Sequence, residues 1–114
     1  PGDNLYTTST IGLDPDTGEI VTHFQYHWND SWDWDEVVPP TLIDLDGEEL
    51  AVRFARNGWI YKLSREGGEL SFIDGKPYVY QNVFTGLDPE TERRAFPRTD
   101  AIPLDLSFDF CGLR

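Results

Sequence analysis

Turn chemistry constrains this chain more than any other feature. Asp14-Pro15-Asp16-Thr17-Gly18, Asp46-Gly47, Asn57-Gly58, Gly67-Gly68 and Asp74-Gly75 break it into short runs. Asp-Gly and Asn-Gly between apolar runs signal hairpins, because both positions of the tight turn need positive φ. The runs themselves, 5–11, 20–26, 41–45, 50–55, 59–63, 70–73 and 77–84, are rich in Thr, Val, Ile, Tyr and Phe. β-Branched and aromatic side chains suit a half-buried pleated surface, so each run is expected to be a strand. Helical periodicity is weak throughout. The best short helix or turn candidate is 89–93, with Pro89 at a first helical position. Residues 94–106 contain Pro97 and Pro103 and read as loop or extended chain.

A repeat underlies the turns. Gly12-Leu13-Asp14-Pro15-Asp16-Thr17-Gly18-Glu19-Ile20 is one copy. Lys62-Leu63-Ser64-Arg65-Glu66-Gly67-Gly68-Glu69-Leu70 is a looser second, with Ser64 in register with Asp14. Thr85-Gly86-Leu87-Asp88-Pro89-Glu90-Thr91-Glu92 begins a third, in which Glu92 replaces the glycine. The shared grammar is strand, Asp-x-x-Thr-Gly turn, strand. The Asp carboxylate can accept backbone N–H bonds and the glycine can take positive φ. A period of about 50 residues, with four strands per unit, points to propeller blades. The expected fold is therefore all-β, built of antiparallel four-stranded blades. The chain would hold about two of them, approximately 1–63 and 64–114. Two blades cannot close a ring, so the repeat reads as part of something larger.

Composition narrows the function. The 114 residues make one small domain at most. With 39% hydrophobic and 14% aromatic residues, the chain can build a core and is not of disordered type. Asp and Glu number 21 against 9 Lys and Arg, a net charge of −12. That charge opposes binding to nucleic acid or an anionic membrane, which need a basic face. It suits cations, neutral substrates or a basic protein partner. No apolar run is long enough to predict a membrane span. Methionine is absent, position 1 included, and no apolar leader follows Pro1. A processed chain or an internal piece is expected. Cys111 is the one cysteine, which excludes a disulfide framework within the chain. It is either a buried free thiol or half of a bridge to a residue beyond 114.

The densest chemistry lies in Phe24-Gln25-Tyr26-His27-Trp28-Asn29-Asp30-Ser31-Trp32-Asp33-Trp34-Asp35-Glu36. Three of the four tryptophans fall within seven residues here, interleaved with carboxylates. An extended backbone at 33–35 would put Asp33 and Asp35 on one side. Two carboxylates there repel unless a cation lies between them or one keeps a proton. Hard cations favour such oxygen-rich sites. Flanking tryptophans would exclude water and raise the basicity of an aspartate used as proton acceptor. The plainer alternative is an acidic surface loop whose tryptophans pack into the core. His23 and His27 share a strand face without a third ligand, so ordinary strand histidines are expected rather than a zinc site. Asp44-Leu45-Asp46-Gly47-Glu48-Glu49 starts like a calcium loop but lacks the later ligand spacing, and a hairpin turn is expected. Arg56 stands alone in an apolar strand, before Asn57-Gly58-Trp59, and needs either an internal carboxylate or an anionic ligand. No Ser-His-Asp or Cys-His constellation and no phosphate loop can be assembled.

Taken in order, several segments resemble the quinoprotein alcohol dehydrogenases, the PQQ-dependent methanol and ethanol dehydrogenases. They are Pro1-Gly2-Asp3-Asn4-Leu5-Tyr6, Leu13-Asp14-Pro15-Asp16-Thr17-Gly18, Phe24-Gln25-Tyr26 and Asn29-Asp30-Ser31-Trp32-Asp33-Trp34-Asp35. Ala55-Arg56-Asn57-Gly58-Trp59-Ile60-Tyr61-Lys62-Leu63 and Asp109-Phe110-Cys111 continue the resemblance. It implies part of an eight-bladed β-propeller. Asp33 matches the family's catalytic aspartate, which takes the alcohol proton and lies near the metal. Asp35 matches the extra aspartate of lanthanide-dependent members, so Asp33 and Asp35 would be metal ligands. Arg56 matches the arginine on the quinone oxygens of PQQ. Cys111 matches a cysteine whose disulfide partner lies further along. The cofactors implied are PQQ and a lanthanide ion or Ca²⁺. The partners implied are a small alcohol substrate, a cytochrome c acceptor and a second copy of the parent in a homodimer, in the periplasm and with no membrane span. The family's glutamate and asparagine metal ligands and its PQQ-stacking tryptophan have no counterpart here, so this segment alone is expected to be inactive. Glu36-Val37-Val38 stands where the family usually has Gly-Val-Asn, Trp34 where it has Tyr, and Thr22 where a blade-docking aromatic sits. The alternative function is a non-catalytic propeller acting as a scaffold or binding platform.

Overall fold

The computed structural model describes residues 4–27, 30, 33–80, 84–87 and 95–97. Within them the chain is all-β and antiparallel. The strands are β1 (Ser9–Leu13), β2 (Ile20–Gln25), β3 (Thr41–Leu45), β4 (Glu48–Phe54), β5 (Trp59–Ser64), β6 (Ser71–Pro77), β7 (Phe84–Leu87) and β8 (Ala95–Pro97). One sheet has four strands in the order β3-β4-β5-β6; β1-β2 and β7-β8 form two-stranded sheets. Among the described residues the strands make one complete four-stranded meander and two hairpins. The meander runs continuously from Thr41 to Pro77, across the 63/64 position.

Local chemistry explains the turns. Asp46 and Gly47 both take positive φ, 52° and 86°, between the paired residues Leu45 and Glu48. This is the two-residue hairpin whose twist matches the flanking strands. The acidic run 44–49 is therefore a β-turn, as expected over a calcium loop. In the first repeat, the Asp14 carboxylate accepts the N–H groups of Asp16 and Thr17 at 2.8 and 2.9 Å, and Gly18 has φ 74°. Those bonds hold the exposed Asp14 carboxyl below the usual carboxylate range. In the second repeat, Ser64 Oγ accepts the Glu66 N–H at 3.2 Å and Gly68 has φ 80°. The register shift falls at Gly12/Leu13 in β1 and at Lys62/Leu63 in β5, 50 residues apart. The repeat thus extends to the placement of bulges.

Three boundaries differ from the sequence expectation. β1 begins at Ser9, not at 5, because Thr7 donates both its N–H and its hydroxyl to the Asn4 carbonyl. Tyr6 and Thr8 accordingly take positive φ, which no strand accommodates. Asp74-Gly75 is not a turn. It lies inside β6, where Asp74 pairs with Lys62 and Gly75 with Tyr61, and long-range pairing overrides the local signal. The run 77–84 is not one strand. Pro77 ends β6, and beyond it Tyr78 has its N–H on the Gly58 carbonyl and its hydroxyl on the Ala55 carbonyl. Ala95–Pro97 is extended, as allowed for 94–106. The proposed helix at 89–93 and the third turn lie outside the described residues.

The core sits where the β1-β2 hairpin meets the inner face of the meander. Ala51, Ala55, Tyr61 and Leu63 alternate inward from β4, β5 and the turn between them, and all are fully buried. Phe24 enters from β2, and Tyr26 from just after its end. Phe24 meets Phe72 nearly parallel at 6.2 Å, and Tyr26 meets Tyr61 edge-on at 4.9 Å. Thr22 plays a polar part at this junction. Its hydroxyl oxygen accepts the Leu70 N–H at 2.9 Å and so ties the hairpin to the start of β6.

This junction is tight. A Cβ on Gly12 would come within 2.6 Å of Thr22 Cγ2. Gly12→Ala is expected to destabilise the protein by about 1–3 kcal/mol through overpacking. Thr22→Ser removes the methyl and keeps the oxygen that Leu70 needs, so it should restore most of that loss. Thermal unfolding of the single and double variants checks this; no relief in the double variant would mean the clash is absorbed elsewhere.

Candidate functional site

The acidic loop and the Arg56 turn meet at one end of the meander. Loop 33–40 enters β3 at the end where β4 leaves, since Thr41 pairs with Val52. β4 then passes into the turn 55–58, closed by Ala55 N–H on the Trp59 carbonyl and Gly58 N–H on the Ala55 carbonyl, at 2.8 and 3.1 Å. Asn57 stabilises this turn from within. It is fully buried, donates to the Tyr61 hydroxyl at 2.7 Å and accepts the Trp59 N–H at 3.1 Å. The Tyr61 hydroxyl is pushed far above its usual range by burial.

Asp33 and Asp35 are both exposed, and Trp34 between them is buried. The backbone reaches this arrangement without being extended. Asp33 has φ 57°, and successive tight bonds run from Asp35 N–H to the Asp33 carbonyl and from Val37 N–H to the Asp35 carbonyl. Aspartate tolerates this left-handed conformation better than most residues do. Trp34 is fastened by its N–H to Asp30 Oδ2 at 2.9 Å and packs edge-on against His27 at 5.1 Å. The tryptophan therefore anchors the loop, and the two carboxylates face outward from it.

Sequence reasoning missed the group that joins loop to turn. Glu36, noted only as a departure, has a side chain 2% exposed. Its Oε2 accepts from Arg53 Nε and an Arg53 terminal nitrogen at 3.1 and 2.8 Å. Its Oε1 accepts the backbone N–H of Arg56 at 2.8 Å. Burial pushes the Glu36 carboxyl up, against the pull of Arg53 and of the Arg56 N–H. Arg53, not Arg56, is the arginine with the internal ion pair; its guanidinium also lies 4.7 Å from the centre of the Tyr26 ring. The signal was available. Arg53 falls on the inward alternation Ala51, Arg53, Ala55, where a charge must have a buried partner. The Arg56 side chain is exposed, and its backbone N–H is held by Glu36.

His27 is 1% exposed, 3.5 Å from Asp30 Oδ1, and burial lowers its pKa against the raising effect of Asp30. His27 lies beside the Asp30 carboxylate and the Trp34 ring, whereas His23 packs edge-on against Tyr6. A histidine whose folded pKa is lowered contributes stability that is full above its unfolded pKa, about 6.5, and is lost as pH falls through the folded value. Unfolding of the whole protein is expected to become easier below about pH 6.5. His27→Gln should remove up to one proton's share of that slope, about 1.4 kcal/mol per pH unit. Parallel slopes for wild type and variant would show that His27 is already charged in the fold.

Among the described residues, no group of three or more His, Cys, Asp or Glu side chains is arranged to hold a metal ion. Asp33 and Asp35 supply two hard oxygen donors. They fit a hard cation in kind and are fewer than its usual six to eight oxygens. Arg56 adds an exposed guanidinium of the type that recognises carbonyl or carboxylate oxygens. Cys111 lies outside the described residues.

Comparison with known proteins bears on this end of the sheet. Residues 1–77 match the PQQ family described as the glucose/ethanol/alcohol dehydrogenase β-propeller domain. The dehydrogenase subunit of a quinone alcohol dehydrogenase from Komagataeibacter europaeus is 44% identical over 96 residues, covering 81% of this chain and 13% of that protein. The quinoprotein alcohol dehydrogenase PedH of Pseudomonas putida is 42% identical over 95 residues, covering 79% of this chain and 16% of its own. A europium-containing methanol dehydrogenase superposes with TM-score 0.71 at 36% identity, over 80% of this chain and 16% of that one. The chain thus spans 13–16% of the length of these relatives. Since the family match runs through both the acidic loop and the Arg56 turn, the chain belongs to the PQQ glucose/ethanol/alcohol dehydrogenase family, and its four-stranded meander is part of that family's β-propeller.

Proposed function

We propose that the whole protein oxidises primary alcohols to aldehydes, using PQQ and a bound metal ion, in the periplasm. The observation that supports this best is the shared end of the meander: two outward carboxylates and an exposed arginine, on a loop and a turn joined by Glu36. PQQ held beside Arg56 would supply the acceptor for the hydride equivalent of the alcohol. Asp33 accepts the hydroxyl proton, because an exposed carboxylate on a loop anchored by Trp34 can reach a substrate without moving. Asp33 and Asp35 together supply part of the oxygen shell of the metal. Two negative donors favour a highly charged hard ion, which supports a lanthanide over calcium. A europium-containing methanol dehydrogenase among the structural relatives supports the same choice. Arg56 binds and orients the quinone oxygens through its guanidinium. Electrons pass to a cytochrome c; one relative, from Thauera butanivorans, is a 1-butanol dehydrogenase (cytochrome c).

The test is reconstitution of the whole protein with PQQ plus either Ca²⁺ or a light lanthanide, followed by alcohol-dependent dye reduction. Turnover with the lanthanide, lost in Asp35→Ala, is the expected result. Turnover with Ca²⁺ that survives Asp35→Ala would keep the enzyme and discard the lanthanide. No quinone binding with either metal would leave the scaffold reading.

A further inference from the structure

We propose that Glu36 is a positioning residue that holds the acidic loop and Arg56 in a single arrangement, a role that rests on the quinoprotein reading above. Both of its oxygens are committed, and to different segments. Oε2 takes Arg53 of β4, and Oε1 takes the Arg56 N–H of the turn. Arg53 extends the link to the residue just after β2 through the Tyr26 ring. One carboxylate therefore joins the loop at 33–37, β4, the turn at 55–58 and the neighbouring hairpin.

Geometry makes this link stiff. The Glu36 and Arg53 side chains are 2% and 3% exposed, so water does not compete for the bonds. Asp35 is the residue immediately before Glu36 and Asp33 lies three before it, while Arg56 itself carries the bonded N–H. The exposed ends of Asp33, Asp35 and Arg56 are thus placed by their backbones, and Glu36 joins those backbones directly. A leucine pair could fill the same space but offers no acceptor to the Arg56 N–H. The ion pair supplies registration between two halves of a site, a use for which buried polar groups are known.

The double variant Glu36→Leu/Arg53→Leu keeps the volume and removes the link. In the whole protein, PQQ binding to the apoprotein is titrated by tryptophan fluorescence, Eu³⁺ binding by its luminescence, and unfolding is followed alongside. The variant is expected to fold, and to bind PQQ and Eu³⁺ each about 10–100-fold more weakly. Glu36→Gln keeps an acceptor for the Arg56 N–H and should retain affinity closer to wild type. Should the double variant not fold, Glu36→Asp carries the test: it keeps the charge but is one methylene too short to reach both partners. Unchanged affinity for both probes in a folded variant overturns the positioning role and leaves the quinoprotein reading intact. Wild type that binds neither probe overturns that reading, and the positioning role with it.

Discussion

Asp33→Asn is expected to lower the rate of primary-alcohol oxidation by about 10²–10⁴-fold, the usual share of a positioned general base. Asparagine is the informative replacement. Asp33 has φ 57°, a conformation that Asp and Asn accept and that costs other L-residues about 1–2 kcal/mol. Asp33→Asn therefore removes the charge and keeps the loop. Its side chain is exposed, so the folded state loses little packing. Unfolding temperature should stay near wild type while turnover collapses. Asp33→Ala should lose the same activity and some stability as well, from the strained φ. Single-turnover kinetics with saturating alcohol separate the two losses. A fall in rate of less than about threefold in Asp33→Asn would remove Asp33 as the base, because a base supplies at least about 10²-fold.

Arg53→Ala is expected to destabilise the protein by about 3–5 kcal/mol, among the largest effects of any single change here. The reason is the partner left behind. The Glu36 side chain is 2% exposed, and without Arg53 it is a buried carboxylate with one backbone N–H for company. Truncation also uncovers the Tyr26 ring and leaves a void beside Tyr61. Removing both charges is a different experiment. Glu36→Leu/Arg53→Leu should recover most of the loss, since replacing a buried pair with apolar residues of similar size is often neutral. Denaturant unfolding of both variants decides it. A cost below about 1 kcal/mol for Arg53→Ala would mean the pair is solvated, as surface pairs are.

Much of the fold was legible because turn chemistry is local. Asp46-Gly47 needs only its own backbone preferences to make a hairpin, and the Asp14 turn needs only its own carboxylate. Asp74-Gly75 carries the same local signal and is strand, because its partners, Lys62 and Tyr61, are more than ten residues away. The start of β1 failed for the opposite reason: strand-favouring residues at 5–8 were captured by a local turn on Asn4. For the site, Asp33, Asp35 and Arg56 could be picked out by residue type and order. Their exposure and their common end of the sheet could not.

The amino-acid sequence alone determined an all-β repeat of strand, turn and strand, the family it belongs to, and the residue types that could serve a hard cation and a quinone. Those properties are carried by neighbours in the chain and by the order of short motifs. Only the tertiary structure decided that Arg53 rather than Arg56 is the buried cation, and that Glu36 connects loop to turn. A buried ion pair depends on which side chains the sheet brings together 17 residues apart, and on the exclusion of water around them. Neither is written in the spacing of the residues.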